Sequence, residues 1–419
     1  MIKALINQYK NNIRLKQVIS LLSWNIFGIP LGIITSVVVT RFLGPQNYGD
    51  YMFINNIFNI SILLLNFGFF QAGNRALVLT NDKKKAKEYY GAELIIIGGI
   101  YFFIVVSLFV YAVFDINIKQ KGLQTSFMYI IPFAWVYLLT QYFEVLFPAD
   151  NKISLLVKSR YYPKLGFCIS SVIIYFFFKN FLGNKLFIIW AFFLFTQITV
   201  YLYILNKVKL SLNNLKIRIK EIWIYNKTFG FNVYVGSLFS NVFAQLAGLL
   251  ISYFGADNAG VGYYTLAITL VSPLSFIPNV IATTHYKDFS NFESVPKKLL
   301  KITIATSLIA LLFLWLIIPP FINLFYRKEF VAVIKLSYIV SIGVFLYGLS
   351  DFFTRFLGAH GNGKALRNSS IIVGLCVLIF NATLVPLWHE TGAVITYLIA
   401  GVMYFATIFF YYKKFIKNN

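Results

Sequence analysis

The chain has 419 residues, 59% of them hydrophobic and only 12% charged, with a mean hydropathy of +0.73, whereas an ordinary soluble domain carries about 25% charged residues. This composition points to a polytopic membrane protein and away from a soluble one. The formal charge of +23 is no nucleic-acid signature, because the basic residues sit in short clusters between apolar runs rather than in one patch with base-stacking aromatics; it reads as a topology signal.

A bilayer core about 30 Å thick needs about 20 apolar residues per helix. On that ruler the chain holds twelve spans, at 17–41, 48–73, 90–114, 124–147, 162–179, 186–206, 229–254, 259–284, 299–325, 331–357, 368–388 and 391–412. Lys3, Lys10, Arg14 and Lys16 precede the first span as they would a signal peptide, but the run is too long and lacks a small-residue cleavage site, so it is read as retained. Six spans fall on each side of the basic segment from Lys207 to Lys227. The expected fold is an all-α integral membrane protein, with twelve transmembrane helices in two pseudo-symmetric six-helix lobes around a central cavity. The expected organisation is an N-lobe at 1–206, a cytoplasmic amphipathic linker at 207–228 and a C-lobe at 229–419.

With the amino terminus inside, only Arg41, Lys119, Lys121, Lys179, Lys185, Arg327, Lys328 and Lys335 of the 37 Lys and Arg residues fall outside. Both termini are therefore expected in the cytoplasm. The largest outer connection, near Asp115 to Gln124, leaves no room for an external catalytic domain. Inside, Lys207 to Lys220 alternates charge with aliphatics, as an interfacial amphipathic helix would.

The corner between the first two spans, Arg41-Phe-Leu-Gly-Pro-Gln-Asn-Tyr-Gly-Asp50, returns in degenerate form as Ser252-Tyr-Phe-Gly-Ala-Asp-Asn-Ala-Gly-Val261. Without a gap Gly44 falls on Gly255, Asn47 on Asn258 and Gly49 on Gly260, and Gly and Asn suit a tight turn because they tolerate positive φ. Phe147-Pro-Ala-Asp-Asn-Lys152 and Leu357-Gly-Ala-His-Gly-Asn-Gly-Lys364 extend the likeness. Two halves that both start inside relate as parallel repeats, with a cleft between them as the natural substrate route.

Polar groups inside spans usually face the bundle interior or a wet cavity. Asn55, Asn59 and Asn66 lie near one meridian of the second span, and Asn25 shares a stripe with Gly32 and Ser36 in the first. The seventh aligns Ser237, Asn241, Gln245, Gly248 and Ser252, and the eighth Thr265, Thr269, Ser272, Asn279 and Thr283. Helix packing explains any one such residue; four stripes in repeat-related helices favour a shared cavity, with Asn25, Asn55, Asn59, Asn66, Asn241, Gln245 and Asn279 as its lining.

Arg41, Arg75 and Arg355 are the candidate phosphate ligands, since a guanidinium chelates phosphate oxygens. Snorkelling at span ends is the plainer reading of Arg41 and Arg75, and an i,i+4 ion pair with Asp351 that of Arg355. Glu93, Glu144, Asp351 and His285 are the candidate coupling groups, structural roles being the plainer alternative. Pro30, Pro273 and Pro278 permit kinks.

Cys168 and Cys376 lie inside apolar runs and fit no metal or disulfide spacing. Gly358-Ala-His-Gly-Asn-Gly-Lys-Ala365 approaches a phosphate-binding loop, but Ala365 replaces the Ser or Thr that would hold magnesium and the segment follows a helix rather than a strand. Neither a zinc-protease, a nucleophile-elbow nor a dinucleotide fingerprint is present. No cofactor or metal is expected.

Arg41-Phe-Leu-Gly-Pro-x-x-Tyr-Gly, followed by Asn66-Phe-Gly-Phe-Phe-Gln-Ala-Gly-Asn-Arg75 and by Phe254-Gly-Ala-Asp-Asn-Ala-Gly260, resembles the Wzx-type polysaccharide repeat-unit flippases. These belong to the multidrug/oligosaccharidyl-lipid/polysaccharide exporter superfamily. The resemblance covers nearly the whole chain in length, span number and loop placement. It implies the fold of the multidrug exporters of that superfamily, residence in the bacterial inner membrane, and translocation of an undecaprenyl-diphosphate-linked oligosaccharide for O-antigen (lipopolysaccharide), capsule or exopolysaccharide synthesis. It further implies contact with membrane lipids and, as partners, a polysaccharide polymerase and a chain-length regulator. In relatives cationic cavity residues receive the diphosphate, a role that would fall here to Arg75, Arg355 and Arg41. This chain departs in having no Lys or Arg deep in the first or seventh span.

The alternative within the superfamily is a cation- or proton-coupled drug antiporter, which usually carries an acidic cavity residue that the first and seventh spans lack. A glycan polymerase or ligase would need sizeable external loops. The expectation is a flippase and not an enzyme.

Overall fold

The computed structural model describes residues 13–178, 183–285, 289 and 291–418, with the side chains of 13–22, 236, 237, 239–244 and 418 outside the description. Among the described residues the chain is helical and free of strands. Eight helical segments among the described residues are long and apolar enough to cross a membrane.

The first half runs α1 (Ile13–Leu65), α2 (Phe69–Val78), α3 (Lys83–Phe114), the short α4 (Ile116–Gln120) and α5 (Gln124–Ile130), α6 (Ala134–Ala149), α7 (Ile153–Phe177) and α8 (Lys185–Val208). The linker forms α9 (Leu215–Tyr225) and a π-helical turn, Asn226–Gly230. The second half continues with α10 (Phe231–Phe254), α11 (Ala259–Val271), α12 (Phe276–Thr284), α13 (Lys297–Phe325), α14 (Ala332–Ala359) and α15 (Gly363–Asn418). Starts are set by local chemistry. Asp82 accepts from Lys84 N at 2.8 Å to open α3, and Asn184 from Phe187 N at 3.1 Å to open α8, each satisfying an orphan amide of a first helical turn.

Two of the long helices are interrupted. Gly44 breaks α1 with φ 76° and ψ 175°, a region open essentially to glycine alone. His389 breaks α15 with φ 45° and ψ −125°. There the chain doubles back so tightly that a Cβ on Gly392 would lie 2.2 Å from the Leu384 carbonyl oxygen. Both breaks fall at gaps between sequence-derived spans.

The chain divides into two compact units, one of Met1–Phe42 with Ile57–Ser237, the other of Leu43–Asn56 with Leu238–Asn419. In the first, Phe58 stacks on Tyr137 with centroids 5.0 Å apart and 7° between planes, and Phe143 on Phe147 at 5.0 Å and 20°. The Tyr142 hydroxyl donates to the Tyr90 carbonyl at 2.9 Å, so a buried tyrosine keeps its polar end satisfied. In the second, Phe289 packs edge-on to Phe352 and Phe356, beside buried Leu357, Ile408 and Tyr412. Phe102, Phe103, Phe114 and Leu316 are largely exposed, as the outer face of a lipid-embedded bundle allows.

The repeated corners touch one another inside the second unit. Asn258 Nδ2 donates to Asp50 Oδ1 at 2.7 Å and the Ser252 hydroxyl to Asn258 Oδ1 at 2.6 Å, all three residues being buried. A Cβ on Gly49 would fall 1.7 Å from the Asn258 carbonyl oxygen. Positive φ explains only one of the matched glycines, Gly44; Gly255 and Gly260 do not adopt it. Gly49 is glycine because backbone lies against it.

The amphipathic helix expected over Lys207 to Lys220 starts later, at Leu215. Helix α8 ends at Val208, Lys209 and Asn214 take left-handed φ of 53° and 55°, and α9 begins only at Leu215. The segment is fastened within the first unit: Ser211 N donates to the Lys87 carbonyl at 3.1 Å, and Arg218 bridges Glu88 at 2.7 Å and Glu221 at 2.6 Å. Tyr89 donates to Glu221 at 2.6 Å. Burial alone would raise the Glu221 carboxyl, but the bonds from Tyr89 and Arg218 outweigh it and hold the group below its ordinary 4.5. A depressed folded-state value stabilises the charged form, so this contribution is present above the ordinary value and is lost as pH falls through the lowered one. Amide exchange across Leu215–Tyr225, corrected for intrinsic rate, is therefore expected to stay flat between about pH 5 and 8 and to rise on acidification below about 4.5. Exchange that rises already near neutrality contradicts this anchor.

Candidate functional site

A chamber of about 440 Å³ opens inside the first unit, lined from α1, α6, α7 and α8. Asn25 and Asn59 come from the two arms of α1, Tyr137, Thr140 and Glu144 from α6, Ser159, Arg160, Tyr161 and Lys164 from α7, and Phe193, Gln197 and Tyr201 from α8. Helical spacing explains the grouping. Tyr137, Thr140 and Glu144 recur at three and four residues, as do Arg160 with Lys164 and Phe193, Gln197 and Tyr201, so each set occupies one helix face.

The wall is held by its own polar contacts. Arg160 Nε donates to Glu144 Oε1 at 2.6 Å while its Nη2 donates to Oε2, a two-point fork that fixes both side chains. Thr140 donates to its own helix at Val136 O, 3.0 Å, and lies 2.8 Å from the Tyr201 hydroxyl; with the threonine proton committed, Tyr201 is the donor of that pair. Tyr161 donates to Asn25 Oδ1, and Trp24 stacks on the Tyr161 ring at 5.6 Å. Lys164 Nζ lies 5.6 Å from the same ring. Gln197 Oε1 is buried without a hydrogen-bond partner among the described residues.

Of the residues singled out in the sequence, Asn25, Asn59 and Glu144 meet in this chamber. Asn55 donates to Tyr51 O on its own helix at 2.8 Å. Asn66 is occupied by the α1–α2 turn, donating to Ile62 O and Leu63 O at 3.0 Å each and accepting from Gly68 N at 3.0 Å. In the second unit Asn279 Oδ1 accepts from Arg355 Nε at 3.1 Å and Nη2 at 2.6 Å, so that guanidinium addresses Asn279. Asp351 accepts from the Tyr404 hydroxyl at 3.3 Å. Gln245 is half-buried on α10, and the side chain of Asn241 lies outside the described residues. Arg41 is half-buried just before the Gly44 break. Arg75 is exposed with its guanidinium carbon 5.6 Å from the Phe229 ring. Glu93 is fully buried with neither oxygen hydrogen-bonded, against Gly73 of α2. His285 closes α12 and lies 6.5 Å from the Phe289 ring.

Sequence reasoning missed Arg160, Lys164, Gln197 and the chamber tyrosines. Arg160 lies just before the fifth span at 162–179 and Lys164 in its first turn, so both read as inner-side charges although the helix starts at Ile153. Gln197, the lone amide in the middle of the sixth span, was the available signal.

Among the described residues, then, a polar chamber lies among apolar helices. Residues 14–286 match the family described as polysaccharide biosynthesis protein. The chain belongs to that family. A curated relative, the capsular polysaccharide biosynthesis protein CapF of Staphylococcus aureus, is 25% identical over 394 residues, covering 90% of this chain and 94% of CapF. Among solved structures, the inward closed conformation of the lipid II flippase MurJ superposes with a TM-score of 0.71 at 15% identity, covering 94% of this chain and 87% of MurJ. An inward-facing multidrug resistance MATE family transporter of the MOP superfamily gives 0.66 at 14% identity over 93% and 96%. At these identities the structural likeness speaks for the fold. In this member of the polysaccharide biosynthesis family, Asn25, Asn59 and Glu144 of the chamber all lie within the matched span.

Proposed function

We propose that this protein is a flippase that carries an undecaprenyl-diphosphate-linked oligosaccharide repeat unit from the inner to the outer leaflet of the bacterial cytoplasmic membrane. The observation that carries the reading is the chamber: amides, hydroxyls and an ion pair gathered among apolar helices. Hydrocarbon penalises such groups unless they serve a wet route. The family match and the CapF relative support a cargo belonging to surface-polysaccharide synthesis, whether O-antigen, capsule or exopolysaccharide.

The mechanism is alternating access. The sugar-diphosphate head leaves the cytoplasmic face for the polar interior while the prenyl chain stays in lipid, and rearrangement of the two halves re-exposes the head outside. Splitting α1 and α15 at Gly44 and His389, and counting Ile153–Phe177 and Phe231–Phe254 as crossings, supports twelve spans in two six-helix lobes, 1–206 and 229–419, joined at 207–228. The distribution of Lys and Arg supports cytoplasmic termini. Asn279 with Arg355 is a second cargo-facing pair in this scheme.

Deletion of the gene is expected to abolish the surface glycan and to accumulate inward-facing lipid-linked repeat units. Unchanged surface glycan without accumulation overturns the reading. Altered drug tolerance with intact glycan favours the antiporter instead.

A further inference from the structure

The chamber wall carries an uneven charge. Glu144 supplies one negative group and Arg160 and Lys164 supply two positive ones. Arg160 is satisfied by Glu144, whereas among the described residues no carboxylate pairs with Lys164, whose nearest recorded partner is the Tyr161 ring. Lys164 is exposed, and the charged side chains of the lining sum to one net positive charge. Around that charge lie an acceptor without a hydrogen-bond partner among the described residues, Gln197 Oε1, a second amide, Asn59, and the rings of Tyr137, Tyr161 and Phe193. An oxyanion, hydroxyl donors and a flat apolar C–H face on one ligand would satisfy all of these together. Its volume of about 440 Å³ lies within the range of about 300–1,000 Å³ usual for small-ligand sites.

We propose that the chamber is a binding site for an acidic sugar, a pyranose bearing a carboxylate, within the repeat unit. Lys164 pairs with the carboxylate, Arg160 turns part of its fork from Glu144 toward it, and Gln197 accepts from a ring hydroxyl. This rests on the flippase reading and narrows its cargo to a negatively charged glycan. The same oxyanion chemistry could come from the diphosphate linkage, so the test separates the two.

The full chain in lipid nanodiscs is titrated with a soluble hexuronate-containing oligosaccharide, with its carboxyl-reduced neutral counterpart, and with a short prenyl diphosphate lacking sugar. The acidic oligosaccharide is expected to bind about tenfold or more tightly than the neutral one, the scale of one charge-assisted contact. The change Lys164→Met is expected to remove that preference. Lys164 is exposed and makes none of the hydrogen bonds that join Glu144 to Arg160, so this variant leaves that fork in place. Equal binding of both oligosaccharides, or a preference that survives Lys164→Met, overturns the proposal. So does prenyl diphosphate that displaces the acidic oligosaccharide with the same Lys164 dependence, since the anion is then the linkage. Gene deletion reports transport whatever the glycan's charge. A deletion strain that loses its glycan while the chamber ignores the carboxylate therefore overturns this inference alone.

Discussion

Alanine at Gly49 is expected to destabilise the protein by about 3 kcal/mol or more, at the upper end of the range for overpacking a tight site. The new Cβ would stand 1.7 Å from the Asn258 carbonyl oxygen and 3.1 Å from the Asn258 Cβ. The obstacle is backbone, which cannot rotate away as a side-chain end can, so the two corners must separate. That separation also breaks the buried bond from Asn258 to the Asp50 carboxylate, a further loss of about 1.5–3 kcal/mol for a hydrogen bond to a charged group. The matched control is Gly32→Ala, where a Cβ would meet nothing within 4 Å. The measurement is thermal unfolding in detergent or nanodiscs. A Gly49→Ala protein that melts with the wild type refutes the corner contact, whereas a loss shared equally by Gly32→Ala would point to a general intolerance of helix substitutions.

Separating Glu144 from Arg160 should have the second large effect, and on two readouts. Breaking a fully buried pair costs about 3–5 kcal/mol. Here 32% of the Arg160 side chain and 29% of the Glu144 side chain remain exposed, so water screens the orphaned charge and the expected loss for Arg160→Ala or Glu144→Ala is on the order of 1–2 kcal/mol. The double alanine variant should lose less than the sum, because neither charge is left alone. Exchanging the two, Glu144→Arg with Arg160→Glu, should restore most of the stability while export stays on the order of tenfold or more below wild type, since the cation then points from α6 instead of α7. Stability from unfolding and surface glycan from cells are measured in parallel. Full export by the exchanged protein would show that the pair serves the fold only.

Much of the architecture was legible in the sequence because a bilayer imposes a coarse code. Span length follows from the thickness of hydrocarbon, and the breaks at Gly44 and His389 fall in the gaps that this ruler leaves between apolar runs. The corner repeat was also visible, yet its physical meaning was not. Matching Gly49 with Gly260 suggested equivalent turns, but Gly49 lies against Asn258, whereas a Cβ on Gly260 would meet Glu390 and Ile251. Residues 43–56, counted with the first lobe by chain order, pack in the second unit. The linker began later than its alternating pattern implied, because Lys209 and Asn214 take left-handed conformations that end one helix and precede the next.

The site was legible in part. Stripes on single helices identified Asn25 and Asn59 as facing a common interior, and they do line one chamber. The same reasoning grouped Asn55 and Asn66 with them, although both amides bond to their own helices. Periodicity says which residues share a face; it does not say whether a polar group on that face is already satisfied by the carbonyl four residues back.

By itself, then, the sequence determined the solvent, the helical class and the family, since each depends on composition and local order along the chain. Only the tertiary structure decided that Glu144 is paired with Arg160, that Lys164 faces the Tyr161 ring, and that Gln197 joins them in one lining. Those facts depend on side chains from three helices meeting within a few ångströms, and no one-dimensional pattern encodes such a distance.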